Sequence, residues 1–309
     1  MDCDLHLDDA FSENTKAGYA SDWKVWSRWC AKSGNALLPA TGESLAAFIE
    51  EAGATRCPAT LSRYIAAIAA AHRMADLPDP TKIRVVKVAM KRLLRQKGKR
   101  QRQALGITAE MRDRMLAATG PGNLGLRNRA LLSVAYDIGR RRSEIVALLA
   151  EDIDRAEDGT ATILVRRAKC DQDGNGQVCY LSVETVKAVD AWLDASGVEE
   201  GPIIRSLRRG GHPAPEALPA PEVSRLYKEL AAAAGYPPEI WRKVSGHSTR
   251  VGMAQDMAAA GIDLAAIMTA GGWKSPSMAA HYCERVDARR GGAARLAILQ
   301  GRSPTSPTA

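Results

Sequence analysis

Apolar residues recur along this chain mostly at the three-to-four-residue step of a helix, and only one short stretch alternates as a strand does. Phe11-Ser12-Glu13-Asn14-Thr15 opens a helix whose Trp23, Val25, Trp26 and Trp29 form an apolar face with a polar back. Those tryptophans read as core rather than as an exposed platform for stacking bases. Thr41-Gly42-Glu43-Ser44 starts a second helix through Glu51, and Pro58-Ala59-Thr60 starts a third, Leu61 to Ala75. Leu61, Ile65, Ile68 and Ala69 of the third face inward, with Ser62, Arg63 and Arg73 outward. A fourth runs from about Thr81 to Gln96. Four helices without a strand predict a small bundle.

Gln96 to Gly106 is polar, basic and glycine-containing, and divides two better-patterned regions. Beyond it, Thr108-Ala109-Glu110 predicts a helix capped by Thr108, and Leu126 to Ile138 a buried one. An amphipathic helix ending near Glu151 follows Arg140-Arg141-Arg142. Thr160 to Arg167 alternates as a strand, Asp171 to Gly176 makes a turn, and Val178 to Leu181 returns, giving a β-hairpin with Lys169 at its tip. Then come a helix from Glu184 to Ser196, a Gly-, Pro- and Arg-rich loop from Gly201 to Pro221 in which Arg205, Arg208 and Arg209 can make basic contacts, and a helix over 222–234. Helix 250–260 stops at Gly261. Asp263 caps the next, which Gly271-Gly272 ends, and Ser275-Pro276 opens a short one carrying Tyr282. A last small apolar stretch, Ala293 to Leu299, has no evident home in this core.

Charge and chemistry then narrow the class. The chain has 309 residues and a formal charge of +8, and the ten Lys or Arg between Pro80 and Ala109 face no acid there. The whole positive excess lies in that stretch, as expected of a strap along a phosphate backbone, the plainer reading being a solvated helix face. No apolar run approaches the roughly 18 to 20 residues that span a bilayer, and the acidic start lacks the basic region of a signal peptide, so a cytoplasmic location is expected. The six cysteines are scattered, without the spacing of a zinc site. No phosphate-binding glycine loop and no carboxylate cluster for paired magnesium ions is present, so neither metal, ATP nor another cofactor is expected.

The stretch Ser245-Gly246-His247-Ser248-Thr249-Arg250 places His247 and Arg250 on one helix face, able to grip one phosphate. One of Arg140, Arg141 and Arg142 should join them, although a triple arginine could equally be surface that touches DNA backbone. His-x-x-Arg, a Gly-Gly-Trp nine residues before a Tyr, and an upstream Arg-x-x-Glu together resemble the tyrosine site-specific recombinases of the phage integrase family. The resemblance spans about residues 11 to 299.

That resemblance implies a mainly α protein of the DNA breaking-rejoining fold. Residues 11–96 would be a core-binding bundle of four or five helices, 97–107 a basic linker and 108–300 a mostly helical catalytic domain with a small β-hairpin or sheet. Residues 1–10 and 301–309 would be disordered ends, and the two domains would clamp a duplex. It implies Tyr282 as nucleophile, with Arg141, Arg250, His247 and Trp273 on the phosphate, Lys169 as general acid, and Glu144 bracing Arg141. Helix 222–234 would lie in the major groove, with no base reader assigned on it. Thr60 and Arg63 match a groove-entering helix, and Lys87, Lys91, Arg92, Lys99 and Arg100 would hold the backbone. Partners would be double-stranded DNA with inverted-repeat sites and three further copies of the chain, joined by the C-terminal helix in trans, at the nucleoid. A type IB topoisomerase and a DNA-binding regulator without catalysis are the alternatives.

Overall fold

Backbone hydrogen bonds in the computed structural model follow the helical pattern closely in residues 13–100, 103–166 and 176–302, the residues it describes. The expected disordered end 1–10, residues 303–309 of the end expected at 301–309, the hairpin tip and Lys169 lie outside the described residues, whereas the Gly301 and Arg302 N–H groups bond back to the carbonyls of Ile298 and Ala297. The chain divides into two units, Met1–Arg102 and Gln103–Ala309.

In the first unit the described helices are α1 (Glu13–Ser33), α2 (Gly42–Thr55), α3 (Pro58–Met74) and α4 (Arg84–Lys97), the last preceded by a 3-10 turn at Pro80–Lys82. Thr41 and Ser44 exchange hydrogen bonds in a capping box that starts α2. Trp26 is fully buried, stacked on Trp29 at 5.2 Å and met edge-on by Phe48 at 5.2 Å. The tryptophan face is therefore core, as the periodicity required. His72, also fully buried, accepts the Ala40 N–H on Nε2 at 2.9 Å and donates from Nδ1 to the Ile68 carbonyl at 2.8 Å. That latch ties the entry of α2 to α3.

The second unit is built round α6 (Gly122–Ile138), most of whose residues are buried, packed against α8 (Val183–Ser196) and α5 (Ala109–Ala117), with α9 (Ala220–Ala233) against α5 and the short α10 (Pro238–Trp241) against α9. Strands β1 (Ile153–Arg155), β2 (Ala161–Val165) and β3 (Gln177–Leu181) form an antiparallel sheet, with Ile163 opposite both Ile153 and Cys179. Helices α11 (Ser248–Ala259), α12 (Leu264–Gly271) and α13 (Pro276–Arg290) enclose a smaller core of Met253, Ile267, Trp273, Ala279 and Cys283.

Four expectations change here. The helix after the arginines, α7, is only Arg142–Ile145. Backbone pairing of Leu148 and Ala150 with Ile203 and Gly201 captures the chain beyond it and leads it into β1. The loop 201–221 contains a hairpin, β4 (Arg205–Leu207) and β5 (Pro213–Ala217), whose prolines lie in a two-stranded sheet with few ladder bonds to lose. Thr108 makes no side-chain cap on α5. Asp256 of α11 replaces it, accepting the Ala109 N–H at 2.7 Å. The helix carrying Tyr282 is not short but runs 15 residues, ending before Gly291.

Candidate active site

The site grows from the start of α11. His247 occupies the N-cap position and Arg250 the first turn, where it is 3% exposed. Arg250 Nη1 donates to the carbonyls of Gly139 and Gly271, each at 2.6 Å. One guanidinium thereby ties together the turn ending α6 and the turn ending α12. Its carbon lies 4.0 Å from the centre of the Trp273 ring, and the Trp273 and Tyr282 rings are 5.7 Å apart, tilted by 57°. Trp273 thereby lies between the Arg250 guanidinium and the Tyr282 ring.

Gly139, with φ of +54°, ends α6 in the left-handed conformation and turns the chain into Arg140-Arg141-Arg142. Arg141 Nη1 donates to Glu144 Oε1 at 2.8 Å, and the Arg141 backbone N–H to Glu144 Oε2 at 3.2 Å. Glu144, itself buried, fixes both the backbone and the side chain of Arg141. Arg142 Nη1 donates to Ser224 Oγ at 3.1 Å, and the same oxygen accepts the Gly246 N–H at 3.0 Å. Arg142, the third arginine of the triplet, therefore braces the His247 turn through Ser224 of α9.

Crowded cations set the electrostatics. Burial, then Arg141, bring the Arg250 pKa down to about 10, against which the Tyr282 and Glu144 charges work. The His247 pKa is lowered by burial first, then by Arg250, Arg142 and Arg141, although its ring still reaches solvent. At pH 7 Arg250 stays charged and His247 is neutral, offering one N–H and one lone pair. A pocket with this excess of cations is ready for phosphate oxygens.

The profile of the phage integrase family matches residues 106–289, more than half of the chain. The chain belongs to the phage integrase family. This integrase-family protein is 29% identical over 303 residues to the recombinase Cre of Escherichia phage P1, covering 93% of this chain and 88% of that one. It is also 29% identical over 295 residues to an integrase/recombinase XerD homologue of Selenomonas ruminantium, covering 90% and 84%. Its fold superposes on XerH site-specific recombinase in a post-cleavage complex with palindromic difH substrate at a TM-score of 0.68, with 18% identity, covering 92% of this chain and 80% of that one. A lambda integrase tetramer bound to a Holliday junction gives 0.61, with 19% identity and 88% and 72% coverage. The mainly helical tyrosine recombinase fold is therefore that of this integrase.

The described structure brings Arg141, Glu144, His247, Arg250, Trp273 and Tyr282 together in the second unit. Lys169 belongs to the same unit but lies outside the described residues, and the expected DNA-binding residues lie in the first unit. Lys87, Lys91, Lys99 and Arg100 are exposed, and Lys87 and Lys91 share a face of α4 with Arg84 and Arg95. Arg92 is exposed but lies 3.7 Å from Glu50. Thr60 contacts Cys57 Sγ at 3.2 Å. Arg63 spends its fork on Asp22, 2.7 and 2.8 Å away, a carboxylate only 1% exposed. That pair holds α1 to α3, while the Arg63 side chain remains 61% exposed. Arg205 is turned back onto the carbonyls of Pro202 and Glu200. Sequence reasoning did not single out Ser224, Gln177 or Asp256, whose partners lie far along the chain, and while the family spacing picked Arg141 from the triplet it gave Arg140 and Arg142 no role of their own.

Proposed function

We propose that the chain cleaves and rejoins DNA at paired inverted-repeat sites through a covalent 3′-phosphotyrosine on Tyr282. What carries the reading is the Arg250 guanidinium, held by two backbone carbonyls against the ring that packs on Tyr282. A phenol has an ordinary pKa of about 10, so attack at neutral pH needs cations nearby to favour the phenolate. Arg141 and Arg250 supply them and grip the nonbridging oxygens, where charge grows in the transition state. Preorganised donors of this kind typically contribute about 3 to 4 kcal/mol each in a dry site. The Tyr282 phenol gives up its proton to water as its oxygen bonds to phosphorus, the bond to the 5′-oxygen breaks, and that oxygen takes a proton from Lys169. The ester keeps the bond energy, so a partner strand's 5′-hydroxyl can reverse the step in a new pairing without ATP.

Residues 11–96 and 108–300 would act as core-binding and catalytic domains joined by the basic segment 97–107, with Lys87, Lys91, Lys99 and Arg100 on the phosphate backbone. Four copies on two sites would perform strand exchange in the nucleoid. The exposed last helix, α14 (Gly292–Leu299), fits a trans contact: Leu296 is 49% and Leu299 84% exposed, and none of its residues is buried.

Covalent trapping tests the reading. Wild-type protein on a nicked duplex carrying its bound inverted repeat should leave an SDS-resistant adduct, and Tyr282→Phe should abolish the adduct while still binding. Binding without any wild-type adduct would favour a regulator, and relaxation of supercoils without site preference a topoisomerase.

A further inference from the structure

The middle arginine of the triplet is held by Glu144, yet its neighbour Arg140 is the buried one. Arg140 is 2% exposed, its Nε finds no hydrogen-bond partner, and no carboxylate among the described residues pairs with it. Its Nη2 donates to Cys179 Sγ on β3 at 3.2 Å. A Cβ built on Gly272 would lie 1.7 Å from Arg140 Nη1 and 3.0 Å from Gln177 Oε1, so the guanidinium lies directly against that backbone. Gln177, on the same strand, donates to the Thr269 carbonyl in the last turn of α12 at 2.7 Å.

These contacts join the same two turns that Arg250 joins. Arg250 holds the carbonyls of Gly139 and Gly271, and Arg140 follows the first of these while packing on the residue after the second. It also adds a third element, β3, the return strand of the hairpin. Burying a cation without a counter-ion is costly, and truncation to an apolar side chain often relieves that cost. The arrangement makes sense where an anion arrives nearby, and the Arg140 charge already acts on Arg250.

We propose that Arg140 is a positioning residue for strand cleavage: it wedges the Gly139 and Gly272 turns against β3 and adds its charge to the field that receives the phosphate. The inference rests on the Tyr282 chemistry above. Gly272 is then required twice, by its φ of +66° and by the guanidinium against it.

The test measures single-turnover adduct formation at saturating nicked duplex, from pH 6 to 10, for wild type, Arg140→Met and Arg140→Lys, with DNA affinity measured alongside. Arg140→Met should bind DNA within about twofold of wild type but cleave at least about tenfold more slowly. Its profile should move to higher pH, because with one cation fewer the attacking phenolate is less stabilised. Arg140→Lys should restore the wild-type profile but not the full rate, since an ammonium cannot touch Gly272 and Cys179 together. Wild-type rate and profile in Arg140→Met would overturn the proposal. So would a slow Arg140→Met with an unmoved profile that Lys does not rescue, which is the behaviour of a packing residue. If Arg140→Met does not fold, Arg140→Lys decides: a wild-type rate overturns the wedge, and a several-fold loss with an unmoved profile supports it. A wild-type protein that binds the duplex and forms no adduct would instead sink the recombinase reading beneath it.

Discussion

At the residue scale, the site is governed by how few anions accompany its cations. Arg250 is buried with its Nη1 hydrogens on carbonyl oxygens, and Glu144 is the carboxylate recorded on Arg141. The consequence for His247 can be measured without substrate. Its folded pKa lies below the ordinary 6.5, chiefly through burial and then through Arg250. The unfolded chain therefore takes up the proton first as pH falls. Stability from this residue is fully present above the unfolded value and is lost as pH drops through about 6.5 toward the folded one. Melting temperature followed from pH 8 to 5 should fall less steeply in His247→Gln than in wild type, and equal slopes would contradict the assignment. The same scale explains why Arg63 serves as structure: removing it would strand the carboxylate of Asp22, 1% exposed, in the bundle.

Among elements, α11 carries the burden. One end presents His247 and Arg250, while the middle supports the rest of the unit. Gly252 crosses the segment leading into α5 so closely that a Cβ there would lie 1.7 Å from the Ile107 carbonyl oxygen. One turn further on, Asp256 accepts from the Tyr136 hydroxyl at 2.5 Å and from the Ala109 N–H at 2.7 Å. Burial and this carboxylate raise the Tyr136 pKa well above its ordinary value, so the phenol remains a donor at all working pH. Asp256→Ala leaves both donors without an acceptor and should cost about 1 to 3 kcal/mol for each group left unsatisfied. Tyr136→Phe removes a single bond and should cost about 0.5 to 1.5 kcal/mol. Urea midpoints at constant m value give both, and the reverse order would show that the carboxylate is not the hub.

For the whole molecule, assembly is where the exposed apolar end of α14 matters. Deleting residues 288–309 removes Leu296 and Leu299 together with the last residues of α13. Binding to a single repeat should be little changed, while cooperative filling of paired repeats and formation of a two-site complex should fall. Gel mobility of one-repeat and two-repeat duplexes separates these, and unchanged cooperativity would remove α14 from the interface.

Helical period, caps and glycine stops are local, so the order of helices, the tryptophan core, the break at Gly261 and the cap at Asp263 were legible in the sequence itself. The family spacing likewise singled out His247, Arg250, Trp273 and Tyr282, and the structure brings Arg250, Trp273 and Tyr282 into one stack with His247 opening the helix of Arg250. Long-range pairing was not legible. The backbone of residues 201–203 pulls the chain after Ile145 out of its helix, and Asp256 caps a helix that starts 147 residues earlier. Nor could three adjacent arginines be told apart by composition. The Arg-x-x-Glu spacing foresaw that Arg141 meets Glu144, but only packing decided that Arg142 meets Ser224 and that Arg140 is buried against Gly272, because successive residues leaving a left-handed turn point to different neighbours.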